Sequence, residues 1–396
     1  MGITAVSGLQ MTIAATKKPH TPVAARHVRK GILTLHLALG FFLGLYFSLM
    51  GLTGSTLVFK NELHRLTKPS AYYVAVPANA SRLPLDTLTK VFNDGHAESP
   101  LSFITLPTEP NQALIVGYKL KSGQNQKRAL SMQTIIDPYT GKVVAEQLSG
   151  GWFFRTVHNL HARLLLEDFG EEVHRFAVFG IFALLLSGIC LWWSTKKTSI
   201  KLDGNFKRKI FDTHNVVGFF AGGFLFVLAL TACSDIWRDQ TKVIVGALTG
   251  ASLVAEEKSA KGSESKDKKI QPSYDAMLVT AKTALPNMVA VAITDKLRVR
   301  MVSPGGQYVI PRCMTVVCNQ ADGSLKTIED PAKMPLGQQI LAWMLPVHFG
   351  QWGPGITFYL VKALWFCVGL SPSILFISGV IMYVSKRRAR KNKSLP

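Results

Sequence analysis

The sequence predicts an α-helical membrane protein: four transmembrane helices carrying two periplasmic α+β modules. Three observations predict it. The 396-residue chain is 48% apolar and only 17% charged, a balance that suits a membrane protein better than one soluble domain. Four runs, Ile32 to Phe59, Phe176 to Trp193, Val216 to Ala232 and Ile356 to Val384, reach or approach the roughly 20 apolar residues that cross a bilayer core. The two long segments between runs one and two and between runs three and four show strand-like patterning.

The net charge of +21 orients the spans. Lys17, Lys18, Arg26, Arg29 and Lys30 precede the first. Lys196, Lys197, Lys201, Lys207, Arg208 and Lys209 lie between the second and third, and Lys386, Arg387, Arg388, Arg390, Lys391 and Lys393 follow the fourth. The positive-inside rule places all three clusters, and hence both termini, in the cytoplasm. Charge placed this way orients a membrane protein and gives no reason to expect nucleic acid as a partner. The first run is longer than a signal-peptide core and ends in Lys60-Asn61-Glu62 without a small-residue cleavage pattern, so it reads as an uncleaved span.

In order, the expected divisions are a basic cytoplasmic tail (1–30), the first transmembrane helix (31–60), a first outer module (61–171), the second helix (172–194) and a cytoplasmic loop (195–210). The third helix (211–234), a second outer module (235–354), the fourth helix (355–385) and a cytoplasmic tail (386–396) complete the chain. Lys362 and Pro372 make the fourth helix the least uniform; a helix end or a packed neighbour would accommodate each. In the first module the runs LSFITL, ALIVGYKL and MQTIIDPYTGKVVAEQ alternate as strands do, with Asp137-Pro138-Tyr139-Thr140-Gly141 as a turn. The second opens with the polar stretch EEKSAKGSESKDKK, expected to be mobile. A helix-like PSYDAMLVTAKTALP and strand-like VAVAIT, LRVRMV and QYVIP follow, in the first module's order. Cys313 and Cys318 are read either as bridged across a hairpin or as two free thiols. With no C-x-x-C among five cysteines, covalent haem attachment and thioredoxin-like chemistry are unsupported.

The sharpest signal is internal. His36-Leu-Ala-Leu-Gly40-Phe-Phe-Leu-Gly44 and His214-Asn-Val-Val-Gly218-Phe-Phe-Ala-Gly222 both read H-x-x-x-G-F-F-x-G. From each histidine it is 18 positions to the small residue of a Leu-Thr-small triplet (36 to 54, 214 to 232). His36 lies six residues beyond Lys30 and His214 five beyond Lys209, roughly 9 and 7.5 Å along a helix. Both imidazoles therefore sit just inside one leaflet, each on the same helix face as two glycines. An axial imidazole above a groove lacking side chains suits b-type haem. The plainer reading is close helix packing through G-x-x-x-G with an interhelical hydrogen bond; two matched copies favour the haem.

Five of the ten histidines, His64, His158, His161, His174 and His348, gather toward the opposite face. A second haem there would use His161 with His348, and Arg155, Arg163 and Arg175 would hold its propionates. A copper or zinc site of several imidazoles is the alternative. His64 and His158 also read as ordinary surface residues, His174 is left undecided, and His20, His27 and His96 read as solvated.

These motifs together resemble the PepSY-associated transmembrane helix family, and within it the bacterial inner-membrane ferric-siderophore reductases. The resemblance covers nearly all of the chain after the tail. It rests on His36-x-x-x-Gly40 with Leu52-Thr53-Gly54, the Asp137 to Gly141 turn, and His161-Ala-Arg-Leu-Leu before a span closing Leu186-Ser187-Gly188 with Trp192-Trp193. It continues in His214-x-x-x-Gly218 and in His348-Phe-Gly-x-Trp-Gly before a span closing Ile377-Ser378-Gly379. The resemblance implies PepSY-like outer modules, haem b on bis-histidine ligands at His36, His161, His214 and His348, and electron transfer outward to a periplasmic ferric siderophore. Two departures stand out: Ala232 replaces the usual glycine of the third triplet, and His158 and His174 are extra imidazoles that leave the outer ligand pair open.

The expected function is therefore that of a multi-pass bacterial inner-membrane oxidoreductase with two haem b groups, passing electrons from a cytoplasmic or membrane donor to ferric siderophore. No flavin, nicotinamide or Walker motif is evident. A non-redox metal or siderophore permease and a membrane-anchored regulatory or scaffold protein are the rival expectations. The siderophore, the donor and the oligomeric state are not encoded in any motif.

Overall fold

A computed structural model describes residues 23–120, 129–251, 253 and 273–393. Lys17, Lys18, His20 and the stretch EEKSAKGSESKDKK lie outside the described residues. Helices α1 (Val23–Val58), α2 (Lys60–Thr67), α3 (Pro69–Tyr72) and α4 (Leu85–Gly95) lead into strands β1 (Leu101–Thr105), β2 (Leu114–Leu120), β3 (Leu130–Ile136) and β4 (Val143–Leu148), followed by α5 (Gly151–Arg163) and α6 (Glu167–Trp193). The second half repeats that order with α7 (Phe206–Ile236), α8 (Arg238–Thr249), α9 (Tyr274–Ala284), β5 (Val289–Thr294), β6 (Arg298–Val302), β7 (Met314–Cys318), β8 (Leu325–Glu329), α10 (Leu336–His348) and α11 (Gly355–Lys393).

Helices α1, α6, α7 and α11 are long and apolar enough to cross a membrane, and each packs on two of the others in a ring. Their apolar side chains mostly face outward: Phe42 is 77% exposed and Phe176 72%. Such a belt is stable only in lipid. The aromatic pairs Phe41-Phe42 and Phe219-Phe220 of the repeat belong to it. Both anomalies of the fourth span are accommodated. Pro372 cannot bond the Val368 carbonyl, which instead accepts from Ser371 Oγ at 2.6 Å. Buried Lys362 reaches Glu62 Oε1 at 2.5 Å.

The two expected modules are one body. The eight strands form a single antiparallel sheet in the order β4-β3-β2-β1-β5-β6-β7-β8. Its halves join where Phe103, Ile104 and Thr105 pair with Thr294, Ile293 and Ala292. Alternation along the strands puts Ile104, Leu114, Val116, Ile293, Val299 and Met301 on one face, where α4 and α9 cover them through Leu88, Phe92, Met277 and Ala281. The helix starts are exchanged: Asp275 accepts from the backbone N–H groups of Leu85 (2.8 Å) and Asp86 (2.9 Å), while Asp86 accepts from Tyr274 N at 2.6 Å. Each carboxylate thus caps the other half's helix. Asp275→Ala or Asp86→Ala alone is expected to cost about 1–2 kcal/mol, read as a lower thermal midpoint.

Three expectations are corrected, and of the two readings of Cys313 and Cys318 the free thiols hold. QYVIP forms no strand: Ile310–Arg312 is a 3-10 turn because Pro311 has no N–H for a ladder, and β7 starts at Met314. Cys313 packs in the small cluster with Val291 and Val302 while Cys318 belongs to the helix-covered face. About 16 Å of extended strand separates them, well beyond the roughly 4.4–6.8 Å a disulfide spans. Burial raises the Cys313 thiol to about 11, so it is inert. His96 is not solvated: its ring stacks on Phe92 at 4.6 Å and faces Glu146 Oε1 at 3.2 Å. Nor is His64 a surface residue; it is 5% exposed and bonded to the Tyr72 hydroxyl at 2.8 Å.

Candidate functional site

His36 and His214 begin the apolar parts of α1 and α7, and the ring of helices brings them together, with imidazole centroids 6.4 Å apart and planes at 88°. At the sheet-bearing end α5 and α10 return to the bundle, and the His161 and His348 rings also lie 6.4 Å apart, at 47°. Thr53 and Thr231, which hold this second pair, come 17 residues after His36 and His214, so the two pairs are stacked about 25 Å apart along the helices.

Each of the four rings is held by a hydroxyl from a neighbouring helix. His36 Nδ1 lies 2.9 Å from Ser187 Oγ on α6, and His214 Nδ1 2.9 Å from Ser378 Oγ on α11. His161 Nδ1 lies 2.9 Å from Thr53 Oγ1 on α1, and His348 Nδ1 3.0 Å from Thr231 Oγ1 on α7. The residue after each hydroxyl must be small. A Cβ on Gly54 would stand 3.1 Å from His161 Cε1, on Gly188 3.4 Å from His36 Cε1, and on Gly379 3.6 Å from His214 Cε1. The last two are ordinary contacts, which makes Ala232 an unsurprising occupant of the fourth such position. Gly54→Ala is expected to push the His161 ring off Thr53, with a shifted imidazole NMR signal; Gly379→Ala leaves His214 unmoved.

Space beside the rings differs between the glycines of the repeat. Added Cβ atoms at Gly40 and Gly218 would meet only a leucine methyl, at 3.9 and 3.5 Å, whereas one at Gly44 would collide with the Phe376 ring. At Gly40 and Gly218 a methyl group would make an ordinary contact, whereas Gly44 is a close packing point. The corner after His161 is unusual in its backbone. Leu164, Leu165 and Glu167 adopt φ of 54°, 59° and 49°, the left-handed region that costs a side-chain-bearing residue about 1–3 kcal/mol. This turn folds α5 back onto α6 and fixes where His161 points. Burial, then His348, His158 and His174, push the His161 imidazole down to about 3. Burial lowers His348 too, so both rings are neutral near pH 7 and keep a lone pair.

The other expected site residues lie around these pairs. His174 is buried on α6, its Nδ1 against the Tyr46 hydroxyl and its Nε2 without a partner. His158 is exposed on α5. Arg163 Nε bonds Glu171 at 2.7 Å, and Arg175 sits near Glu172 and over the Trp237 ring. Among the described residues no three His, Cys, Asp or Glu side chains converge as a metal-binding group; the imidazoles come in pairs. Sequence reasoning passed over Tyr46 and Asp212. The Asp212 carboxylate, buried two residues before His214, gathers Arg208 Nε (3.1 Å), Lys197 Nζ (3.7 Å) and the Lys201 backbone N–H (3.2 Å). It was legible as one of only two acids in the basic KLDGNFKRKIFDTHN stretch.

Fold and site define a multi-pass membrane protein, built as two matching halves, that presents paired imidazoles at two depths. The chain belongs to the PepSY-associated TM region family, whose profile matches residues 33–386. No curated protein matches it.

Proposed function

We propose that this protein carries electrons across a bacterial inner membrane and delivers them to ferric siderophore in the periplasm, releasing ferrous iron. One observation supports this above the rest: both imidazole pairs have ring centres 6.4 Å apart. Two metal–imidazole bonds of about 2 Å, each extended by about 1.2 Å to its ring centre, need about 6.4 Å. His36 with His214, and His161 with His348, would each hold one haem b. The pairing of the imidazoles, with a glycine one helix turn after His36 and after His214, fits a macrocycle better than a cage of side chains. When bound, each haem would accept and release one electron.

The chain's own residues do the rest. The helices exclude water and fix the two sites at different depths. The lipid-facing belt holds the bundle in the bilayer, and the basic clusters at the ends of α1, α6, α7 and α11 set that end in the cytoplasm, leaving the sheet in the periplasm. Ferric siderophore is a suitable acceptor because reduction to ferrous iron weakens its hold on hard oxygen ligands. The donor is a cytoplasmic or membrane reductant. Optical spectra of the purified protein, oxidised and dithionite-reduced, with haem quantified per chain, test the reading. Two reducible haems are expected; a colourless protein from haem-replete cells overturns it. Release of ferrous iron from ferric siderophore by the reduced protein tests the acceptor.

A further inference from the structure

The four hydroxyls that hold the imidazoles each have a carbonyl of their own helix in place to take their proton. Thr53 Oγ1 donates to Leu49 O at 2.7 Å, Ser187 Oγ to Leu184 O at 3.1 Å, Thr231 Oγ1 to Val227 O at 2.8 Å and Ser378 Oγ to Ile374 O at 2.6 Å. A hydroxyl has one proton and can otherwise only accept. With that proton on the helix carbonyl, the imidazole nitrogen facing the hydroxyl is the donor. His348 gives an independent check: its Nδ1 also lies 3.2 Å from the Leu228 carbonyl, which has no proton to give. In a neutral imidazole with the proton on Nδ1, Nε2 is a bare lone pair, the form a metal ligates.

We infer that Thr53, Ser187, Thr231 and Ser378 are positioning residues that lock the proton of His161, His36, His348 and His214 on Nδ1, leaving each Nε2 bare for a metal. This deepens the proposed function and rests on it only for the metal's identity. The rule also sorts the extra imidazoles. His174 and His64 face the phenol hydroxyls of Tyr46 and Tyr72, and their Nε2 atoms are buried without partners. Neither has a helix-committed serine or threonine, so neither carries the lock. The motif L/I-[ST]-small that closes each span thus has a chemical sense: the hydroxyl orients the ring and the small residue lets it approach.

The test is 15N NMR of the full-length protein, labelled at histidine and stripped of any bound cofactor, with signals assigned by single histidine variants. Unprotonated Nε2 is expected for His36, His161, His214 and His348. In Ser187→Ala the His36 signal is expected to move toward the Nε2–H form. The affinity of that site for haem then falls about 10- to 100-fold, as for other orienting partners of metal-bound histidine. Ser187→Thr is expected to restore both, and the other three histidines stay unchanged. Protonated Nε2 in the wild-type protein, or an unchanged tautomer in Ser187→Ala, overturns the lock whether or not haem binds. Unprotonated Nε2 with no haem affinity supports the lock and removes the electron-transfer reading instead.

Discussion

On the proposed two-haem reading, His214→Ala is expected to leave the purified protein with half the haem of the wild type and to stop reduction of the proposed periplasmic acceptor, while the fold survives. His36→Ala, His161→Ala and His348→Ala are expected to do the same, each at its own pair. The reason is geometric: each ring has one opposite number at 6.4 Å, so on the proposed reading one truncation would remove half of the residues that would hold that haem. His158→Ala and His174→Ala are expected to keep the full complement, since His158 is exposed and the His174 ring faces Tyr46. Haem per chain by pyridine extraction reads all six. Full haem in His214→Ala, or half in His174→Ala, would move the assignment to other residues.

Glu62→Gln is expected to destabilise the protein by about 3–5 kcal/mol. Lys362 is 2% exposed, and its ammonium meets Glu62 at 2.5 Å between the Phe59 and Phe358 rings. Without the carboxylate a cation stays buried near the end of a membrane span. The double variant Glu62→Gln with Lys362→Met removes both charges and is expected to recover most of the loss, because the pair's attraction roughly offsets its desolvation. Thermal unfolding in detergent micelles measures both. A single variant as stable as the wild-type protein would show that water reaches the site.

How much of this was legible in the sequence depends on whether the cause was local. The four spans follow from runs of apolar residues and end near charge clusters, and α1 also includes Arg26, Arg29 and Lys30, which the apolar run left out. LSFITL, ALIVGYKL and VAVAIT are strands, as their short apolar runs suggested. The repeat located His36 and His214 at one depth because spans one and three run in the same direction. His161 and His348 were singled out by family resemblance as well as by position, and the closing triplets were visible as motifs without a role.

What the sequence by itself determined is therefore the set of elements and their direction: helix or strand, lipid-facing or not, and which end carries the positive charge. These are set by side chains acting on their own few neighbours and on the solvent. Only the tertiary structure decided that two modules share one sheet through β1 and β5, that Asp86 and Asp275 cap each other's helices, that His64 and His96 are packed while His158 is exposed, and that four hydroxyls on neighbouring helices face four imidazoles. Each of those joins residues that the chain keeps 100 or more positions apart or sets on different elements, so it depends on packing directions that no local pattern records.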